Sequence, residues 1–234
     1  MKCVILAGGR GSRISELSKT IPKPMIKVLN KPIIVRIINY YSKFGINDFI
    51  IAAGYKKKII KDYFKRKKLK NLNINVINTG LNTMTGGRLK RLQKLLNQKT
   101  FLLTYGDGLS DVNIKKLIDF HKKNKKLVTL TAVRPVARFG YLKLEGTNVK
   151  YFREKSNLDE GWINGGFFVM EPRFIKFIKN DMTFLEKEPL ESAAKKKQLV
   201  AYKHYGFWQC MDTLRDKINL EKKLVQKKFR KVFK

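Results

Sequence analysis

The sequence predicts an α/β fold, and three observations carry that expectation. Short apolar runs recur through the first 134 residues. Segments with helical periodicity separate them. The runs are apolar at consecutive positions, as in strands buried on both faces of a parallel sheet. Strand–helix alternation of this kind builds one sheet with helices packed on both sides. The expected architecture is Rossmann-like: a mixed, mostly parallel sheet, helices on both faces, and a small β extension late in the chain.

Lys2–Ala7 (KCVILA) ends in Gly8-Gly9 and forms the first buried strand. Residues 32–44 have helical periodicity, with Pro32 near the start and Gly45 past the end, as helix termini prefer. Residues 48–53 (DFIIAA) form the second strand, followed by a lysine-rich helix to about 66. Residues 73–78 (NINVIN) are the third strand, 87–96 a helix, 100–105 (TFLLTY) the fourth strand, 113–123 a helix and 127–133 a strand. The pattern then changes. Strands at 140–144, 149–153 and 162–170 come in close succession and suggest an antiparallel or mixed extension of the sheet. Helices are expected at about 172–179 and 184–197, a strand near 199–203 and a C-terminal helix over about 213–228. No repeat and no Gly/Ser- or Pro-rich linker interrupts the chain, so a single domain over 1–234 is expected.

Composition narrows the class. At 43% hydrophobic the chain is no disordered tail. No run approaches the roughly 18 apolar residues of a membrane helix. The opening MKCVILAGG holds too short an apolar stretch for a secretion signal. Cys3 and Cys210 are the only cysteines and lack metal-binding spacing, which points to the reducing cytoplasm. Lys and Arg number 52 against 18 Asp and Glu, a net charge of +34. Lysines occur in every segment rather than as one stripe, so a solvated surface is expected and no specific nucleic-acid partner.

Ligands of open α/β sheets bind at the C-terminal ends of the strands. After the first strand comes Gly8-Gly9-Arg10-Gly11-Ser12-Arg13, whose glycines let backbone N–H groups approach a phosphate, with Arg13 as a cationic fork. It matches neither the P-loop nor GxGxxG. In Ile21-Pro22-Lys23-Pro24-Met25 two prolines hold Lys23 in an extended backbone that can deliver its charge to one place; an ordinary solvated lysine in a stiff loop is the alternative. The fourth strand ends in Tyr105-Gly106-Asp107-Gly108, where a carboxylate is placed to hold Mg²⁺ bearing a substrate phosphate. Such an ion wants a second acid. Asp212 is the candidate, unless it only caps a helix; Asp111 is the decoy. His121 and His204 receive no role, and Phe207 and Trp208 are most simply core aromatics.

Together, LAGGRGSR, PKPM, Thr104-Tyr105-Gly106-Asp107-Gly108, TGGRLKR at 85–91, NGGFFV at 164–169 and GFWQCMDTLRDK at 206–217 cover nearly the whole chain. The first two motifs resemble the sugar-1-phosphate nucleotidyltransferases, and the rest resemble one branch, the glucose-1-phosphate cytidylyltransferases. The resemblance implies transfer of a cytidylyl group from CTP to α-D-glucose 1-phosphate, giving CDP-glucose and pyrophosphate, with Mg²⁺ as cofactor in a homo-oligomer. It divides the domain into a nucleotide-binding part, 1–134, and a sugar-binding part with the C-terminal helix, 135–234. By the same match Leu6, Ala7, Gly8, Gly9, Arg10, Gly11, Ser12 and Arg13 hold the nucleotide, with Lys23, Thr83, Arg88 and Gly106. Lys23, Arg13 and Asp107 are the catalytic set, and Asp107 and Asp212 the metal ligands. Glu154 and Lys155 receive the sugar phosphate, while Asn164 and Gly165 hold the sugar. The bland alternatives are a solvated basic face for Arg88 and a strand bulge for Asn164-Gly165-Gly166. The sequence departs from the branch in a short stretch at 65–73, in Ser156 where the branch has proline, and in a basic tail. The rival functions are the same transfer with another pyrimidine nucleotide or sugar, and a non-catalytic nucleotide- or nucleic-acid-binding module.

Overall fold

The structure, a computed structural model, describes residues 1–135, 140–153 and 161–233. Its first half contains β1 (Lys2–Ala7), α1 (Ser15–Ser18), β2 (Lys27–Val28), β3 (Lys31–Pro32), α2 (Ile33–Ser42), β4 (Asp48–Ala53), α3 (Lys57–Arg66), β5 (Asn73–Asn78), α4 (Thr85–Arg91), α5 (Gln93–Leu96), β6 (Phe101–Tyr105), β7 (Gly108–Ser110) and α6 (Ile114–Asn124). The second half adds β8 (Val128–Val133), β9 (Tyr141–Glu145), β10 (Asn148–Arg153), β11 (Ile163–Met170), α7 (Glu188–Lys195), β12 (Leu199–Lys203), β13 (Trp208–Cys210), α8 (Leu214–Leu224) and α9 (Lys227–Val232).

Seven strands form one sheet in the order β12-β8-β11-β6-β1-β4-β5. Every neighbouring pair is parallel except those made by β11, which runs antiparallel to both β6 and β8. Period-2 alternation sends each central strand into two cores. Cys3, Ile5 and Ala7 of β1, with Phe49 and Ile51 of β4, face the core built with α2, α6 and α8. Val4, Leu6, Ile50 and Ala52 face the other, completed by Leu89, Leu92, Phe174 and Leu190. Burial on both faces is why these strands are unbroken apolar runs.

Several expected elements differ. The strand expected over 162–170 lies not in an extension but in the middle of the main sheet, as β11. The chain leaves the C-terminal end of β8, forms the β9–β10 hairpin and returns down the sheet, so β11 must be antiparallel. Among the described residues, β9 and β10 form the extension. The 87–96 helix is two helices, α4 and α5, meeting at Leu92 (φ −90°, ψ 1°). Residues 172–177 make a 3₁₀ turn. The helix expected from 184 begins at Glu188, with Pro189 in its first turn, where a missing N–H costs nothing. The C-terminal helix breaks at extended Gln226. Among the described residues no helix is long and apolar enough to cross a membrane.

The start of α8 is satisfied by its own side chains. Thr213 caps it, accepting from the Asp216 N–H, while Asp216 accepts from the Thr213 backbone N–H: a capping box. Thr213→Ala is expected to lower stability by about 1 kcal/mol, measured by urea unfolding; an unchanged midpoint would refute this role.

Candidate active site

At the C-terminal ends of β1 and β6 a cleft of about 840 Å³ opens, of the size that holds a small organic ligand. Its floor is a three-way charge contact. The Lys23 ammonium donates to Asp107 Oδ2 at 2.6 Å and to Asp212 Oδ1 at 2.6 Å. Arg13 Nη1 meets the other Asp212 oxygen at 2.9 Å.

Each partner is delivered by a separate local device. Pro22 is extended (φ −67°, ψ 144°), but Lys23 opens a 3₁₀ turn with Pro24 and Met25 rather than lying in extended chain as expected. The Met25 N–H donating to the Pro22 carbonyl closes that turn and turns the lysine inward, leaving it only 8% exposed. Asp107 and Asp212 flank a two-stranded ribbon of β7 and β13, with Cys210 opposite Gly108 and the Met211 N–H donating to the Asp107 carbonyl at 2.9 Å. Because Thr213 and Asp216 satisfy the start of α8, the Asp212 carboxylate is free to face Lys23. Asp111, four residues past Asp107, instead pairs with His204 at 3.0 Å.

The electrostatics reflect this contact. Burial pulls the Lys23 pKa down, yet the two carboxylates outweigh it and hold the ammonium above its ordinary value. Burial would raise the Asp212 carboxyl, but Lys23 and Arg13 hold it below the usual carboxylate range. Cys210 lies in the same cleft, with no cation beside it among the described residues. Burial and the two aspartates push its thiol up to about 12.

The glycine-rich loop forms one wall. Gly11 sits at φ +67°, a left-handed turn that admits glycine freely. The loop is tied from behind by Arg88. This guanidinium, 4% exposed, donates to the carbonyls of Gly8 (3.0 Å) and Gly80 (2.7 Å) and to the Thr79 hydroxyl (2.9 Å). A Cβ on Gly8 would stand 2.1 Å from it. Arg88 therefore is no solvated basic face. It lines the cleft but spends its donors on protein oxygens, so it shapes this wall through the backbone.

Of the other expected residues, Leu6, Ala7, Gly9, Ser12, Thr83, Gly106 and Asn164 line the same cleft. Arg10 is exposed and reaches Asn82 at 3.4 Å instead. Gly165 sits behind the wall, its carbonyl accepting from Trp208 Nε1 at 2.7 Å. The bulge expected around Asn164-Gly165-Gly166 exists, as a register shift between Asn164 and Phe168. It exposes the Asn164 side chain to the cleft. Glu154 and Lys155 lie outside the described residues.

The cleft residues that sequence reasoning misses include Tyr105, Thr85, Glu186 and, read as core, Trp208. Tyr105 carries a signal in its place beside Gly106-Asp107. Glu186 carries none, lying in a charged run before a helix. A staple between distant segments brings it in. The Met84 N–H donates to the Asp181 carbonyl and the Gly87 N–H to the Thr183 carbonyl. A Cβ on Gly87 would meet the Asp181 carbonyl oxygen at 2.2 Å. The two glycines of TGGR are thus needed for close packing.

A mostly parallel sheet with a glycine-rich loop after its first strand, a buried lysine and two convergent carboxylates is an arrangement suited to a phosphate-bearing ligand. The comparisons with known proteins agree. The nucleotidyl transferase family model matches residues 2–219. The glucose-1-phosphate cytidylyltransferase of Salmonella typhi is 46% identical, covering 94% of this chain and 95% of that protein. The D-glycero-alpha-D-manno-heptose 1-phosphate guanylyltransferase of Aneurinibacillus thermoaerophilus is 31% identical over 88% of this chain and 89% of its own. The structure of HddC from Yersinia pseudotuberculosis complexed with GMP-PN superposes with a TM-score of 0.75 at 25% identity, covering 95% of this chain and 99% of that one. The chain belongs to the nucleotidyl transferase family, in its glucose-1-phosphate cytidylyltransferase branch.

Two outcomes test the site. Arg88→Lys removes the planar fork and leaves buried carbonyls unpaired, which is expected to cost about 2 kcal/mol in urea unfolding; a loss under about 0.5 kcal/mol would contradict the tie. Because its pKa is raised, Cys210 is a neutral thiol at neutral pH and a poor nucleophile. Iodoacetamide at pH 8 is expected to leave it unlabelled while unfolded protein reacts within minutes, as read by mass spectrometry. Equal labelling of the two forms would rule this out.

Proposed function

We propose that the protein transfers the cytidylyl group of CTP to α-D-glucose 1-phosphate, giving CDP-glucose and pyrophosphate. The observation that carries this reading is the buried Lys23 held between Asp107 and Asp212, beside the glycine loop in one cleft. Lys23 and Arg13 bring positive charge to the place where a triphosphate would meet that loop. An oxygen of the sugar phosphate attacks the α-phosphorus in line. A phosphorus–oxygen bond forms on that side, and the bond to the pyrophosphate oxygen breaks on the other. The reaction needs positioning and charge stabilisation, with no covalent intermediate on the protein.

The donor set suits Mg²⁺. Asp107 and Asp212 bring two carboxylates to one cleft floor, both beside Lys23, and this ion takes one or two protein carboxylates and completes its shell with phosphate and water. Asp107 and Asp212 would hold it, and when bound it supplies neutralisation of phosphate charge. Lys155 is the cation we assign to the sugar phosphate, with Asn164 toward the sugar. Thr83 and the loop fixed by Arg88 form the nucleotide wall. A relative that is a guanylyltransferase makes base choice the property to test first.

Pyrophosphate release is to be measured for CTP, UTP, dTTP and GTP against a set of sugar 1-phosphates. CTP with glucose 1-phosphate is expected to lead every other pair by at least about tenfold in kcat/KM. Equal turnover of several nucleotides would defeat the cytidylyl assignment, and no turnover of any pair would favour a binding module. Lys23→Ala is expected to lower kcat/KM by about a thousandfold while circular dichroism stays native. A loss below about tenfold would remove the lysine from the chemistry.

A further inference from the structure

Glu186 is the third carboxylate lining the cleft, and the nucleotide-and-metal chemistry has no use for it. Its two oxygens are fixed from opposite walls. Tyr105 donates its hydroxyl to Oε1 at 2.6 Å, and Thr85 donates to Oε2 at 2.6 Å. The Thr85 oxygen also accepts from the Leu185 N–H at 2.9 Å, so the acceptor is locked to the segment that carries it. Among the described residues no cation pairs with Glu186, although the chain holds 52 Lys and Arg. The neighbouring Lys187 ammonium lies 4.9 Å over the Phe184 ring instead.

A carboxylate with no cationic partner among the described residues repels phosphate placed against it. It is tolerable only where the ligand is neutral and rich in donors. A carboxylate has about four lone-pair sites, and two of these are filled. Next to it the Asn164 amide lies 3.4 Å from the Tyr105 hydroxyl and brings N–H donors to the same corner. An oriented acceptor beside an amide donor matches a polyol, whose hydroxyls both donate and accept. A cytosine offers a single donor group, its amino group, beside the acceptors O2 and N3, so it gives an acceptor-only carboxylate one partner where a polyol gives several. We propose that Glu186, oriented by Tyr105 and Thr85, accepts a hydrogen bond from a ring hydroxyl of the sugar 1-phosphate and so sets sugar specificity. The proposal rests on the transfer reaction above and adds to it the residue that distinguishes one sugar from another.

The test compares wild type, Glu186→Ala and Glu186→Gln with CTP and glucose 1-phosphate or its 2-, 3-, 4- and 6-deoxy analogues. Wild type is expected to lose at least about tenfold in kcat/KM on one analogue, because a site built for a hydroxyl is left unpaired. In Glu186→Ala that penalty shrinks to about twofold, through loss of activity on glucose 1-phosphate itself. The KM for CTP and the CTP-to-UTP preference stay as in wild type. Glu186→Gln keeps one acceptor and is expected to fall between the two. Melting temperatures identify any variant that fails to fold, and the remaining variant then decides. A penalty unchanged in the variants, or no penalty on any analogue in wild type, overturns the proposal. So does a shift in base preference with sugar discrimination intact, which would place Glu186 at the base. Wild type inactive on glucose 1-phosphate would defeat the reaction assignment and the proposal with it, and that arm is read before any variant.

Discussion

The contact of Lys23 with Asp107 and Asp212 is the constraint around which the chain is arranged. Three segments meet there, Lys23 lying 84 and 189 residues from the two acids in sequence. Two carboxylates held this close repel each other, and burying them adds desolvation. A cation between them is what makes the arrangement stable. Every nearby device serves that meeting. The 3₁₀ turn aims the lysine, the β7–β13 ribbon aligns the acids, and the Thr213–Asp216 box keeps α8 from claiming Asp212. The same charges that stabilise the floor are those a triphosphate and its metal ion would engage.

The antiparallel strand β11 is what gives the cleft its second wall. A purely parallel continuation would have sent the chain from β8 to the far side of the sheet and back through a helix. The hairpin returns it directly, so the start of β11 lies level with the ends of β6 and β8. Asn164 therefore stands beside Tyr105 without a separate loop to carry it. The Gly166 N–H donates to the Asn164 side chain at 2.9 Å, and a Cβ on Gly166 would meet the Tyr105 ring at 2.5 Å. The bulge and its glycine are thus the geometry by which the amide reaches the cleft.

Much of this is legible in the sequence, and for a physical reason. Strands buried on both faces must be apolar at every position, so KCVILA, DFIIAA and TFLLTY declare themselves. Glycine and proline mark the loops whose backbone is special, and they lead to Lys23, Gly11 and Asp107. What stays hidden depends on contacts between remote segments. β11 has the same pattern in the centre of a sheet as it would have in an extension. Arg88 looks like one more basic residue in TGGRLKR until its burial is known. Glu186 sits in LEKEPL, where nothing local separates a cleft carboxylate from a solvated one.

The distribution of charge completes the physical picture. Lysine and arginine exceed the acids by 34, so the surface potential attracts phosphate from every side. Attraction of that kind raises the frequency of encounter but carries no discrimination among anions. Discrimination has to come from the few acids kept in the cleft. Asp107 and Asp212 are offset by Lys23 and Arg13, and their remaining capacity suits a divalent ion. Glu186 accepts from two hydroxyls and is offset by no described cation. In a cationic protein such an acid lowers affinity for any phosphate placed against it. The cleft is thereby divided, with an end around Lys23 suited to phosphate and an end around Glu186 suited to a neutral, hydroxyl-bearing group. A ligand carrying phosphate at one end and a polyol at the other satisfies both ends at once, whereas a simple polyanion satisfies only the first.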